Sequence, residues 1–100
     1  MQRSAHPFRA SAKAAADAAV ADLQAEIWRL VRARFETQRR ERGLTQARLA
    51  AQLGVPPSQV WGWLSDPGKM TIKAAARLLA AMDAQLICEV EARALETLVL

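Results

Sequence analysis

Residues 43–65, from Gly43 to Ser65, read GLTQARLAAQLGVPPSQVWGWLS, and the order of caps, glycines and apolar positions in that run decides the fold. Gly43 suits the left-handed conformation that commonly closes a helix. Thr45 is an N-cap residue, and Leu44 before it can staple onto Leu49 across the first turn. The helix that follows buries Leu49, Ala50 and Leu53 and stops at Gly54. Pro56 and Pro57 cannot sit inside a helix, yet proline at the first helical position gives up only an N–H that has no partner there. A second short helix is therefore predicted from Pro57 to Ser65. Two such helices around a glycine turn must cross closely, which requires a small residue at the approach. Ala50 is that residue, while Leu49, Leu53, Val55, Val60 and Trp63 fill the space between and beneath.

Upstream, Leu23, Ile27, Leu30, Val31 and Phe35 form the stripe of a helix with one buried face. Trp28 lies at the edge of that stripe. It reads either as a core-edge side chain or as a contact to the alanine segment or a partner subunit. The helix becomes strongly basic through Arg39, Arg40 and Arg42 before Gly43. Farther upstream, eight of the twelve residues from Ala10 to Ala21 are alanine, and Lys13 and Asp17 are spaced as a one-turn ion pair, so a separate helix is expected there. Residues 1–9, with His6 and Pro7, show no periodicity and read as a frayed tail.

Downstream, Asp66-Pro67-Gly68 is a turn, and Thr71 caps a fourth helix with apolar positions Ile72, Ala75, Ala76, Leu79 and Met82. Gln85 to Glu91 alternates Leu86, Cys88 and Val90 against Glu89 and Glu91, the two-residue period of a strand. A lone strand must pair with a second segment or with its copy in another chain. The organisation expected is a tail and Ala-rich helix over 1–22, a helical domain over 23–83 and a C-terminal strand or dimerisation segment over 84–100.

The chain has 100 residues, enough for one core. Its net charge of +4 is uneven: residues 1–48 hold ten Lys or Arg against five acids, and residues 83–100 hold one against four. That asymmetry points to a polyanionic partner. The single cysteine, Cys88, has no partner for an internal disulfide and no companion ligands for zinc, so a cytoplasmic location without metal or cofactor is expected. No apolar stretch approaches the roughly 20 residues of a membrane span. His6 is the only histidine, and no nucleophile–base pair, glycine-rich phosphate loop or metal-ligand spacing accompanies it, so an enzyme is not expected.

With these features in place, Gly43-Leu44-Thr45-Gln46, Leu49-Ala50, Leu53-Gly54-Val55, Val60 and Trp63 resemble the helix-turn-helix of the Xre and Cro/phage-repressor family, over about residues 24–82. The resemblance implies an all-α, four- to five-helix lambda-repressor-like domain of a bacterial or phage regulator, which binds duplex DNA by placing the second helix of the motif in the major groove. It also implies that Pro57, Ser58, Trp61, Gly62 and Ser65 approach bases and that Gln46 binds a phosphate. The helical wheel independently turns Ser58, Gly62 and Ser65 away from Val60, Trp63 and Leu64, with Gln59 and Trp61 flanking them. Trp61 reads equally as a groove contact or as a side chain tucked against the Asp66–Met70 loop.

The departures are a proline at Pro56 where many relatives carry a capping Ser or Thr, and Gly62 where many carry a large polar or basic residue. No arginine on this face can reach guanine, so readout is expected from Gln59 to adenine, serine hydroxyls, thymine-methyl contacts from Trp61 or Pro57, and DNA shape. Lys69 and Lys73 on one flank, and Gln46, Arg48 and Arg42 on the other, are the expected phosphate contacts. So small a reading face predicts a homodimer, joined through Leu86–Leu100 or, as second choice, through the alanine helix and Trp28. The rival reading is an antitoxin-type autorepressor whose C-terminus also binds a partner protein; a pure interaction module without DNA binding is a third.

Overall fold

The computed structural model describes residues 2–92, with side chains from residue 11 onward. Its elements are α1 (Gln2–Arg42), α2 (Gln46–Leu53), α3 (Pro57–Ser65) and α4 (Ile72–Ala81), with one 3₁₀ turn, Pro67–Lys69, between α3 and α4. The fold is all-α, and no strand occurs among the described residues.

The local chemistry at the motif acts as the sequence predicts. The Thr45 hydroxyl accepts from the Arg48 N–H at 3.1 Å, satisfying one of the first-turn donors that a helix leaves unpaired. Gly43 and Gly54 take φ of +66° and +68°. At Gly54 the Val55 N–H reaches back to the Ala50 carbonyl at 3.0 Å, the six-to-one bond of a Schellman closure. Pro57 opens α3 behind Pro56, which gives no side-chain cap. Thr71 accepts from the Ala74 N–H at 3.0 Å and starts α4.

The core gathers Ile27, Val31 and Phe35 of α1, Leu49 and Ala50 of α2, Val60 and Leu64 of α3, Met70, and Ala74, Ala75, Leu78, Leu79 and Met82 around α4. Ala50, 1 % exposed, lets α2 and α3 approach closely. Leu53, Val55 and Trp63 are half-buried at its margin.

Four expectations are corrected. Residues 2–9 of the expected tail, Pro7 included, and the separate alanine helix are one continuous helix with the basic helix after them; from Ala10 to Arg42 no glycine or proline interrupts it, and alanine has the highest helix propensity. The α1 stripe is narrower than its apolar residues suggest: Ile27, Val31 and Phe35 are buried, whereas Leu23 and Leu30 are exposed. In α4 the buried face is Ala74, Ala75, Leu78 and Leu79, and Ile72 and Ala76 face out, since alanines on both sides leave the phase to tertiary packing. The strand expected over Gln85–Glu91 does not form: these residues are in neither helix nor strand, as expected for a lone segment with no neighbour to pair with. Leu98-Val99-Leu100 lie outside the described residues.

From Ser11 to Leu23, α1 is exposed on all sides. A 41-residue helix spans about 60 Å at 1.5 Å per residue, and the molecule measures 60 × 28 × 19 Å, so α1 sets its long axis. In that stretch Lys13 and Asp17 pair at 3.0 Å, a surface ion pair worth about 0.3–0.5 kcal/mol.

Candidate nucleic-acid interface

The geometry of α3 follows from which of its residues the core takes. Val60 and Leu64, one turn apart, are fully buried, and Trp63 is half-buried beside them with the Arg77 guanidinium 5.8 Å from its ring centroid. The remaining residues face outward: Pro57, Ser58, Gln59, Trp61 and Ser65 are all exposed. Trp61 is 61 % exposed, an unusual state for the largest apolar side chain. The Ser65 hydroxyl donates to the Trp61 carbonyl at 2.7 Å, so its oxygen faces outward as an acceptor.

Gly62 departs from the expectation. It lies on the outward stripe between Ser58 and Ser65, yet it is buried, because the Lys69 side chain crosses over it. The wheel placed its direction correctly, but a covering side chain from the next turn is not a local signal.

α3 packs chiefly against α2, and three α1 side chains that the sequence reading did not assign to that task tie α3, the 3₁₀ turn and the end of α4 to α1. The Trp28 indole N–H donates to the Leu64 carbonyl at 3.1 Å, satisfying an acceptor in the last turn of α3. That makes Trp28 a core-edge residue tied to α3. The Gln24 amide donates to the Gly68 carbonyl at 3.0 Å, pinning the 3₁₀ turn. Arg34 donates through Nε and Nη2 to the Met82 carbonyl at 3.0 and 2.8 Å and closes α4. These contacts join residues 36 to 48 positions apart, beyond the reach of any periodicity argument.

The basic residues divide into groups. Lys69, on the 3₁₀ turn, and Lys73, in the first turn of α4, are exposed after α3 in the chain. Gln46 is half-buried at the first position of α2. Arg42 and Arg48 are exposed and share a cleft of about 210 Å³ with Gln52 and Asp83, a cleft lined by no residue of α3. On α1, Arg39 donates to Glu36 at 2.9 Å, and this hydrogen bond, reinforced by the nearby guanidinium charges, holds the Glu36 carboxyl below its ordinary range.

A family model described as helix-turn-helix matches residues 36–86, from the last turns of α1 to the segment after α4. The chain belongs to the Cro/C1-type helix-turn-helix family. No curated protein and no solved structure matches it. The match encloses α2, α3 and the whole capping pattern that first marked the motif, and membership makes this chain a DNA-binding helix-turn-helix regulator of a family that is not one of enzymes. No helix of this regulator, among the described residues, is long and apolar enough to cross a membrane.

Proposed function

We propose that this regulator binds duplex DNA sequence-specifically as a homodimer, with α3 inserted in the major groove and its exposed face, Ser58, Gln59, Trp61 and Ser65, against base edges. One observation carries the reading: α3 is anchored by Val60 and Leu64 on one side and by the Trp28 hydrogen bond at its end, while its other side offers polar groups and an uncovered tryptophan. Gln59 has the donor and acceptor that match adenine N7 and N6, and Pro57 and Trp61 offer apolar surface to a thymine methyl. Gln46 at the start of α2 and Lys73 at the start of α4 contact phosphates, and Arg42 and Arg48 add positive charge on the flank of α2.

Dimerisation runs through the segment after α4. Its backbone from Gln85 to Glu91 is in neither helix nor strand, and Ile87 and Val90 are 81 % and 101 % exposed. The same exposed apolar residues favour the second reading, an autorepressor that also docks a partner protein there. Two-fold pairing would set two α3 helices about 34 Å apart on a palindromic site.

Selection from a random duplex library, followed by titration at several salt concentrations, tests the DNA reading. A palindromic preferred site and affinity that falls steeply with salt are expected; binding without preference refutes base reading. A dimer mass in sedimentation at micromolar protein is expected without DNA, and a strict monomer refutes the homodimer. Copurification of a neighbouring gene product that binds through residues 85–92 establishes the second reading.

A further inference from the structure

The reading face of α3 carries no cation of its own, and Gly62 occupies the place where a long side chain would supply one. A Cβ built on Gly62 would lie 3.7 Å from Lys69 Cδ and 3.9 Å from Lys69 Nζ. The lysine chain therefore lies over position 62 of α3, with its ammonium close to that position. Gly62 is buried although Val60 and Leu64 turn the opposite side of the helix to the core.

The base of that lysine is held firmly. Lys69 ends the 3₁₀ turn, which is fixed by the Asp66 carboxylate accepting from the Gly68 N–H at 2.9 Å and by Gln24 donating to the Gly68 carbonyl at 3.0 Å. Met70, next in the chain, is 1 % exposed and anchors the turn in the core. None of the ion pairs among the described residues involves Lys69, and an ammonium carries three N–H donors.

We infer that Lys69 is a base-reading residue: delivered across Gly62 from the turn after α3, its ammonium donates to the O6 and N7 acceptors of a guanine in the major groove. This rests on the proposal that α3 enters that groove. An ammonium has donors only, and guanine is the base that presents two adjacent acceptors there. Lys69 thereby supplies the cationic contact that α3 lacks, and Gly62, which carries no side chain, leaves its path open. A leucine there would displace the lysine chain, while raising helix propensity by roughly 1 kcal/mol relative to glycine.

The test pairs a protein change with a DNA change, using the full chain and a duplex chosen by selection. Each guanine of the half-site is replaced in turn by 7-deazaguanine, which lacks the N7 acceptor. Wild type is expected to lose about fivefold to tenfold at one guanine, the lower end of what a good base contact contributes. Lys69→Met, which keeps the aliphatic chain, is expected to bind the natural and deaza duplexes equally, and Gly62→Leu to behave like it with unreduced thermal stability. Lys69→Arg retains the guanine preference. Equal deaza losses in wild type and Lys69→Met would make Lys69 a phosphate contact and overturn the inference, as would wild-type indifference at every guanine. In either case α3 insertion survives if thymine-to-uracil replacement at the same site is still felt. A selection that returns no preferred duplex overturns both.

Discussion

Replacing Trp61 with alanine separates reading from folding. At 61 % exposure about four-tenths of the side chain is covered, so scaling the roughly 1.5–3 kcal/mol of a fully buried large side chain gives about 1 kcal/mol. Alanine's higher helix propensity returns up to about 0.7 kcal/mol. The net loss stays within about 0.5 kcal/mol, a drop in Tm of about 2–4 °C for a domain of this size. On DNA, by contrast, losing an apolar contact to a thymine methyl should weaken the preferred duplex by about 1 kcal/mol, or roughly fivefold. Random duplex and the salt slope should stay unchanged, because tryptophan releases no counterion. Thermal unfolding beside titrations of preferred and random DNA gives both numbers. A Tm loss above about 10 °C with an unchanged preference ratio would place Trp61 in the fold and refute the reasoning.

Trp28→Phe removes the N–H that the Leu64 carbonyl accepts while keeping the ring, and urea unfolding should show a loss of about 0.5–1.5 kcal/mol with an unchanged m-value. Thr45→Ala and Thr71→Ala each remove a first-turn cap, for about 1 kcal/mol apiece, and the double variant should show the sum because the caps serve different helices. Glu36 should titrate below an ordinary glutamate in NMR and return toward it in Arg39→Ala. Since its folded pKa is depressed, any stability from this pair is present above the unfolded value and lost as pH falls through the folded one.

The segment from Gly43 to Ser65 was legible because its signals are local: a hydroxyl cap, a positive-φ glycine and a proline at the first helical position each act within one turn. The core residues Leu49, Ala50 and Val60 followed from spacing alone. Phase was harder in α4, where alanine at 74, 75 and 76 fits either side and only packing against α1 and α2 decides. The alternation from Gln85 to Glu91 described a pattern and not a pairing, so no strand formed. At the candidate site, the exposure of Ser58, Gln59 and Ser65 came from helical geometry, whereas that of Trp61, the cover on Gly62 and the hydrogen bonds from Gln24, Trp28 and Arg34 depend on contacts across the fold.

Methylation interference on the selected duplex tests groove placement of α3 most directly, since one reagent marks guanine N7 in the major groove and adenine N3 in the minor groove. Loss of binding on N7 methylation within each half-site, with N3 methylation silent, is the predicted result. Interference from N3 methylation alone would put the protein in the other groove and contradict the account.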